Sequence, residues 1–307
     1  MTPIAPLKTL LLSSVLVLGA VLWIAAESQV VNTYKGDKSC VSCHRLSDKA
    51  IVAGFQASPL THALMAADDE GAIEGDFSKA PIKKEDVAWV LCSKRPEQNY
   101  LDKNLQLLPA TWDSEGKEWH GRSAVDAAKE CLGCHTTGFD PKKRTWVSPG
   151  VGCESCHGPQ SAHASSPSRI GPTKIASLPV LRQAMVCGQC HSGGRAKNGD
   201  AFLTGFKPGM DLDKVWDNEP KTGPGNPNTQ FNQWRASKHA EKTPCSGCHD
   251  PHNTTGQPRL LRKPVNQLCG DCHTEQADMA KHAPRAEKED TCATCHMPDG
   301  DHRFEQE

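Results

Sequence analysis

Fourteen of the fifteen cysteines in this 307-residue chain fall into seven copies of one five-residue pattern, Cys-x-x-Cys-His. The copies are Cys40, Cys43 and His44; Cys131, Cys134 and His135; Cys153, Cys156 and His157; Cys187, Cys190 and His191; Cys245, Cys248 and His249; Cys269, Cys272 and His273; and Cys292, Cys295 and His296. A two-residue gap puts both thiols on one side of a single helical turn, and the histidine follows directly. Zinc would ask for paired Cys-x-x-Cys units or Cys/His mixtures, not a histidine after every second cysteine. A disulfide framework would explain an even cysteine count but none of the histidines. Covalent haem attachment uses all three residues: the thiols add across the vinyl groups and the histidine reaches the iron as proximal ligand. The pattern therefore predicts seven haem c groups.

Seven further histidines remain: His62, His120, His163, His239, His252, His282 and His302. One per motif predicts seven six-coordinate irons, each held by two imidazoles. His163 follows the third motif in CHGPQSAH, His252 follows the fifth in CHDPH, and His239 precedes the fifth in SKHAEKTPC. His62 lies in a helical segment, His302 soon after the last motif, and His120 in Trp119-His120-Gly121. A surface or propionate-bonding role is the plainer alternative for each. Met65 and Met297 compete as axial ligands but read as packing residues, since soft methionine fills gaps. Cys92 is the unpaired cysteine; it reads as a small buried residue in a strand, with an intermolecular disulfide or a thiolate ligand as alternatives.

These residues need elements to hold them, and the chain is poor in conventional core. Only 37% of residues are hydrophobic and 5% aromatic, with 25 Gly and 22 Pro, and the mean hydropathy is −0.55. Each porphyrin can bury several hundred Å² of largely apolar surface, contributing several kcal/mol at roughly 25 cal/mol per Å². The expected fold is mainly α with extensive loops and a small β-hairpin, packed around haem. Residues 50–66, interrupted at Pro59, and 178–189 read as helices; 86–92 and 104–108 alternate as the two strands of the hairpin. Segments 165–173 and 218–228 carry loop signals. They suggest sub-parts at 27–164 with three haems and 165–307 with four, within one seven-haem domain at 27–307.

Residues 1–26 read as an export segment. Lys8 precedes an apolar run from Leu10 to Ala26, and Ile24-Ala25-Ala26 suits signal cleavage before Glu27. The rest of the chain is then expected in the periplasm or outside the cell. If the segment is retained as an anchor, the first haem sits near the membrane and takes electrons from quinol. A net charge of −1 and pI near 6.9 give no sign of nucleic-acid binding. The partners expected are redox proteins or an outer-membrane conduit, with self-association left open.

The segments CLGCHTTGF, GVGCESCHGPQSAH, MVCGQCHS, QWRASKHA, CSGCHDPH, PVNQLCGDCH and CATCHMP, with Asp301-His302-Arg303-Phe304, run in order through residues 37–304. They resemble the multihaem cytochromes with doubled CXXCH motifs. That group is similar to the tetrahaem cytochrome of ammonia oxidisers and to the nitrite reductase and hydroxylamine oxidoreductase superfamily. The resemblance implies distal-ligand roles for His163, His239, His252 and His302, and a mainly helical fold with haems stacked in parallel and perpendicular pairs. Enzymes of the superfamily carry a lysine in place of a proximal histidine, or a tyrosine crosslinked to the catalytic haem. No such lysine motif occurs here, and Tyr34 and Tyr100 stand in other contexts. The leading expectation is an electron carrier of anaerobic respiration or extracellular electron transfer. The alternatives are a reductase of nitrite, hydroxylamine or a sulfur oxyanion at one five-coordinate haem, and a subunit of a haem filament or conduit.

Overall fold

A computed structural model describes residues 31–168, 171–217 and 229–304. The expected export segment and the 218–228 loop lie outside them. The chain from Asn32 onward forms one unit. None of its described helices is long and apolar enough to cross a membrane.

Among the described residues there are twelve short helices: α1 (Asp37–Ser47), α2 (Lys49–Gln56), α3 (Ala127–Glu130), α4 (Leu132–His135), α5 (Cys153–His157), α6 (Ser161–Ser165), α7 (Val180–His191), α8 (Gln230–Ala236), α9 (Cys245–Cys248), α10 (Val265–Gly270), α11 (Met279–His282) and α12 (Cys292–His296); α1, α4, α5, α7, α9, α10 and α12 carry motif residues. Their brevity follows from the sequence, because Gly, Pro and the motifs break the apolar 3.6-residue period that longer helices need. Helix α7 matches the helix expected there. The expected helix over 50–66 ends early: α2 stops at Gln56, turns follow around Pro59, and the chain enters strand β1 (Leu64–Ala66). A three-residue strand has no sequence period of its own and forms because a partner pairs with it.

The expected hairpin is part of a larger sheet. Strands β1, β2 (Trp89–Leu91), β3 (Glu97–Leu101), β4 (Leu107–Asp113) and β5 (Glu118–Gly121) make a five-stranded antiparallel meander. β2 pairs with β3, Val90 opposite Tyr100, and the 104–108 segment enters β4 instead. Strand β3 escapes an apolar-alternation reading because its inward residues include Gln98, fully buried and fully bonded. Its amide donates to the Ala72 and Ser93 carbonyls and accepts from Glu74 N and the Tyr100 hydroxyl. Such satisfaction is what makes a buried amide tolerable.

Side-chain cores exist, but only in part of the chain. Leu64, Leu91, Leu101, Leu107, Leu132 and Phe202 pack the sheet against the second motif. Met185, Phe206, Leu212, Trp216, Phe231 and Trp234 surround α7 and the fourth motif. Residues 251–300 hold no buried side chain among them. The expectation of a core replaced by cofactor thus fits the C-terminal third of the chain and not the middle.

The spacer residues of the motifs are under packing constraint. A Cβ on Gly133 would lie 2.0 Å from the Phe202 ring. Gly133→Ala is expected to lower the melting temperature of the holoprotein and loosen the second motif. Adding Phe202→Leu should recover part of the loss, as read by thermal denaturation of both variants.

Candidate metal centres

The seven motifs lie close together through their thiols. Cys40 meets Cys153, Cys134 meets Cys190, Cys187 meets Cys245 and Cys269 meets Cys292. Cys156 neighbours Cys187 and Cys190, and Cys248 neighbours Cys272. The motifs therefore run first, third, fourth, fifth, sixth, seventh, with the second beside the fourth. Burial pushes Cys131, Cys156 and Cys269 up to about 11.

Five motif histidines face a second imidazole across a gap. Ring centroids are 6.2 Å apart for His44 and His163, 6.3 Å for His157 and His252, 6.1 Å for His249 and His302, 6.0 Å for His273 and His239, and 6.0 Å for His296 and His282. Rings in direct contact would stand closer. Two metal–nitrogen bonds of about 2 Å each, plus the distance from nitrogen to ring centre on either side, span about 6 Å. Each gap fits one iron atom, and these residues fit the group that the motifs imply.

Remote segments are tied down to make the pairs. Glu154, the first spacer residue of the third motif, is buried at 1% exposure. Its carboxylate accepts from the backbone of Lys35, Gly36 and Gln160. It thereby fixes the approach to α1, which carries His44, and the approach to α6, which carries His163. Charge-assisted bonds of this kind are among the stronger ones. Asp37 accepts from Cys153 N at 2.8 Å and joins α1 to α5 from the other side. His252 sits on a turn pressed against α2 at Gly54, where a Cβ would lie 2.6 Å from the His252 and Asn253 carbonyls. His302 is placed by its backbone N–H, which donates to buried Gln233 on α8, and by Nδ1, 2.7 Å from the Gly300 carbonyl.

His135 and His191 differ. All fourteen histidines lie within the described residues, and neither of these two faces another imidazole at such spacing. Nδ1 of His135 is 3.2 Å from the Ala63 carbonyl and 3.9 Å from Cys92 Sγ. Burial lowers His135, and Cys92 and the Ala63 carbonyl outweigh it, holding it at about 9. His191 lies 3.2 Å from Gln230 Oε1. His62 is half-buried, with Nδ1 2.7 Å from the Ser58 carbonyl, the arrangement that orients a metal-binding imidazole. His120 is elsewhere: on β5, 51% exposed, beside Asp113 and Glu118. Met65 packs against the aromatic cluster of the sheet. Cys92 follows β2 in the left-handed region, at φ 60°, and its thiol faces the second motif. The β1–β2 pairing that brings Ala63 and Cys92 there left no mark on the sequence reading, because a backbone carbonyl has no residue type.

Comparison with known proteins agrees with the motifs. Residues 238–278 match the family of doubled CXXCH motifs, and residues 97–158 match the family of cytochrome c554 and c-prime. The chain is 28% identical over 212 residues to the multiheme cytochrome MtrA of Shewanella baltica (strain OS185), a stretch that is 63% of this chain and 52% of that protein. This chain is a multihaem c-type cytochrome. It spans about half the length of that relative. Solved structures share the cytochrome's fold: the outer cell wall cytochrome OcwA, at TM-score 0.70 and 20% identity, covering 88% of this chain and 79% of that one; the undecahaem cytochrome from the S-layer of Carboxydothermus ferrireducens, at 0.58 and 21%, covering 90% and 52%; and the octahaem sulfite reductase MccA of Wolinella succinogenes, at 0.54 and 17%, covering 88% and 54%. At these identities the likeness is one of fold.

With no buried side chain from 251 to 300, that part of the cytochrome should depend on its attached groups. Cys292→Ser with Cys295→Ser is expected to make this segment the first site of limited proteolysis, leaving the sheet protected. Equal protection in both proteins would show that the segment holds itself.

Proposed function

We propose that the protein is a seven-haem electron-transfer cytochrome that works outside the cytoplasmic membrane. The observation that carries this reading is the set of five imidazole pairs spaced for iron. We infer that His163, His252, His302, His239 and His282 are the distal ligands of the first, third, fifth, sixth and seventh haems. Haem supplies reversible one-electron change at iron. The chain's own part is to close both axial positions where two imidazoles face each other, which excludes substrate there, and to set neighbouring motifs thiol to thiol, which shortens every hop. The first and seventh motifs stand at opposite ends of the series, which is where redox partners would dock. Export by residues 1–26 suits this role. So do the outer cell wall and S-layer settings in which two proteins of the same fold are named.

A second reading has its own observation. Neither His135 nor His191 faces an imidazole, and an iron with a free sixth position is what a reductase of nitrite, hydroxylamine or a sulfur oxyanion requires. His62 and His120 are the two histidines left to close those positions. A buried second haem, reached only from the fourth, would be a branch off the main line.

The test is an EPR spectrum of the fully oxidised holoprotein. Low-spin ferric signals integrating to at least five haems per chain are expected, and fewer than five would overturn the paired-ligand reading. High-spin intensity of one or two haems would favour the reductase. Seven low-spin haems would remove it and leave the electron carrier.

A further inference from the structure

The Nδ1 partner of an axial histidine governs how much electron density the ring gives its metal. Among the motif histidines these partners are unequal. His249 is 3.0 Å from the Arg259 carbonyl, His191 meets the Gln230 side-chain amide, and His135 meets a carbonyl and a thiol. His44 alone of the seven, among the described residues, meets a carboxylate: Asp48 Oδ2, at 2.9 Å.

The local backbone shows that this contact displaces another. Asp48 is the N-cap of α2, with φ −134° and ψ 52°, and its side chain makes no capping bond. Aspartate at an N-cap ordinarily accepts from the first turn of its helix. Here the carboxylate turns back to His44 Nδ1 and to the Ser47 hydroxyl, which donates to the same oxygen at 2.6 Å. Meanwhile Asp48 N donates to the His44 carbonyl at 2.7 Å. Backbone and side chain of Asp48 therefore both bind the one residue, across the end of α1, and hold the ring in a fixed plane and tautomer.

We propose that Asp48 is a positioning residue for the first haem, its carboxylate holding His44 Nδ1–H and lowering that haem's reduction potential below the value it would have with a neutral acceptor. A negative acceptor gives the ring imidazolate character, which favours ferric over ferrous iron. The first motif stands at one end of the series, so a lowered potential there makes it the inlet from which electrons run to higher-potential haems. This rests on the reading of His44 and His163 as the ligands of one haem.

The experiment compares the wild-type holoprotein with Asp48→Asn and Asp48→Glu by spectroelectrochemical titration and EPR. In Asp48→Asn, seven haems and the low-spin spectrum should be retained, one of the seven one-electron components should move to higher potential, and one low-spin signal should change its g values. Asp48→Glu, which keeps the charge, should return that component towards the wild-type potential. Unchanged potentials in an Asp48→Asn protein with all its haems would overturn the proposal. So would a shift of equal size in both variants, since that marks helix-end geometry and not charge. Should Asp48→Asn fail to mature, Asp48→Glu with the wild-type potential supports the proposal, and Asp48→Glu with a raised potential overturns it. Failure of the underlying reading looks different: His163→Ala would then leave the wild-type spectrum without a new high-spin haem.

Discussion

The gap of about six ångströms between paired imidazoles is the constraint on which the rest of this structure depends. A gap of that width has no value to a polypeptide by itself, since it is too wide for ring contact and too narrow to be left wet without cost. It becomes stabilising when one metal atom bonds both sides. In four of the five pairs the partners come from segments well apart in the chain: His44 with His163, His157 with His252, His249 with His302, and His239 with His273. With one metal atom bonded on both sides, each such pair would be a long-range cross-link fixing a loop the sequence alone would leave free, and would carry the entropy of closing that loop. In each pair one histidine belongs to a motif and the other does not.

That division explains how much was legible in the sequence. The motif residues were fully legible because one short peptide does all the chemistry of attachment, and its spacing is fixed by the width of a porphyrin. The seven histidines outside the motifs were read as a set of distal ligands, one for each motif; five of them face a motif histidine, His62 and His120 do not, and none of the pairings was legible. Nothing near His163 names His44, and the link between them runs through Glu154, a spacer residue inside the third motif, and through the backbone of Lys35, Gly36 and Gln160. The sheet was half legible. Segment 86–92 alternates and was read as a strand, but its partner β3 carries Gln98, whose burial is made tolerable by bonds no local pattern shows. Segment 64–66 looked helical because Leu-Met-Ala has good helix propensity, and pairing with β2 overrode it.

Two kinds of stability coexist in the chain. Around the sheet and α7 the protein is conventional, with leucine, phenylalanine and tryptophan buried against one another. Beyond Asp250 it is not, and short helices there are held by local devices. Thr291 and Thr294 form a capping box across the last motif, worth about 1 kcal/mol. Such devices shape a turn but cannot order fifty residues, each of which loses about 1–2 kcal/mol of backbone freedom on folding. The remainder has to come from porphyrin burial and axial bonds. The low mean hydropathy of the whole sequence therefore averages two regions with different sources of order.

The inserted sheet shows how the conventional region serves the metal centres. It supplies no motif, and its one histidine, His120, lies at the exposed edge strand. What it brings to the second motif is the Ala63 carbonyl and the Cys92 thiol, side by side on the same nitrogen of His135. Cys92 adopts a left-handed backbone there, which costs a non-glycine residue about 1–2 kcal/mol. Buried Ser93 next to it, donating to the Ala72 carbonyl, and the fully bonded Gln98 hold the strand end in place against that cost. The sheet thus stands behind the second motif at the outer nitrogen of His135, as Asp48 stands behind the first at that of His44. The two acceptor sets differ in charge, carboxylate at one and neutral carbonyl with thiol at the other. A series of otherwise identical attachment motifs can in this way be graded by the residues standing behind each histidine, without changing a single ligand.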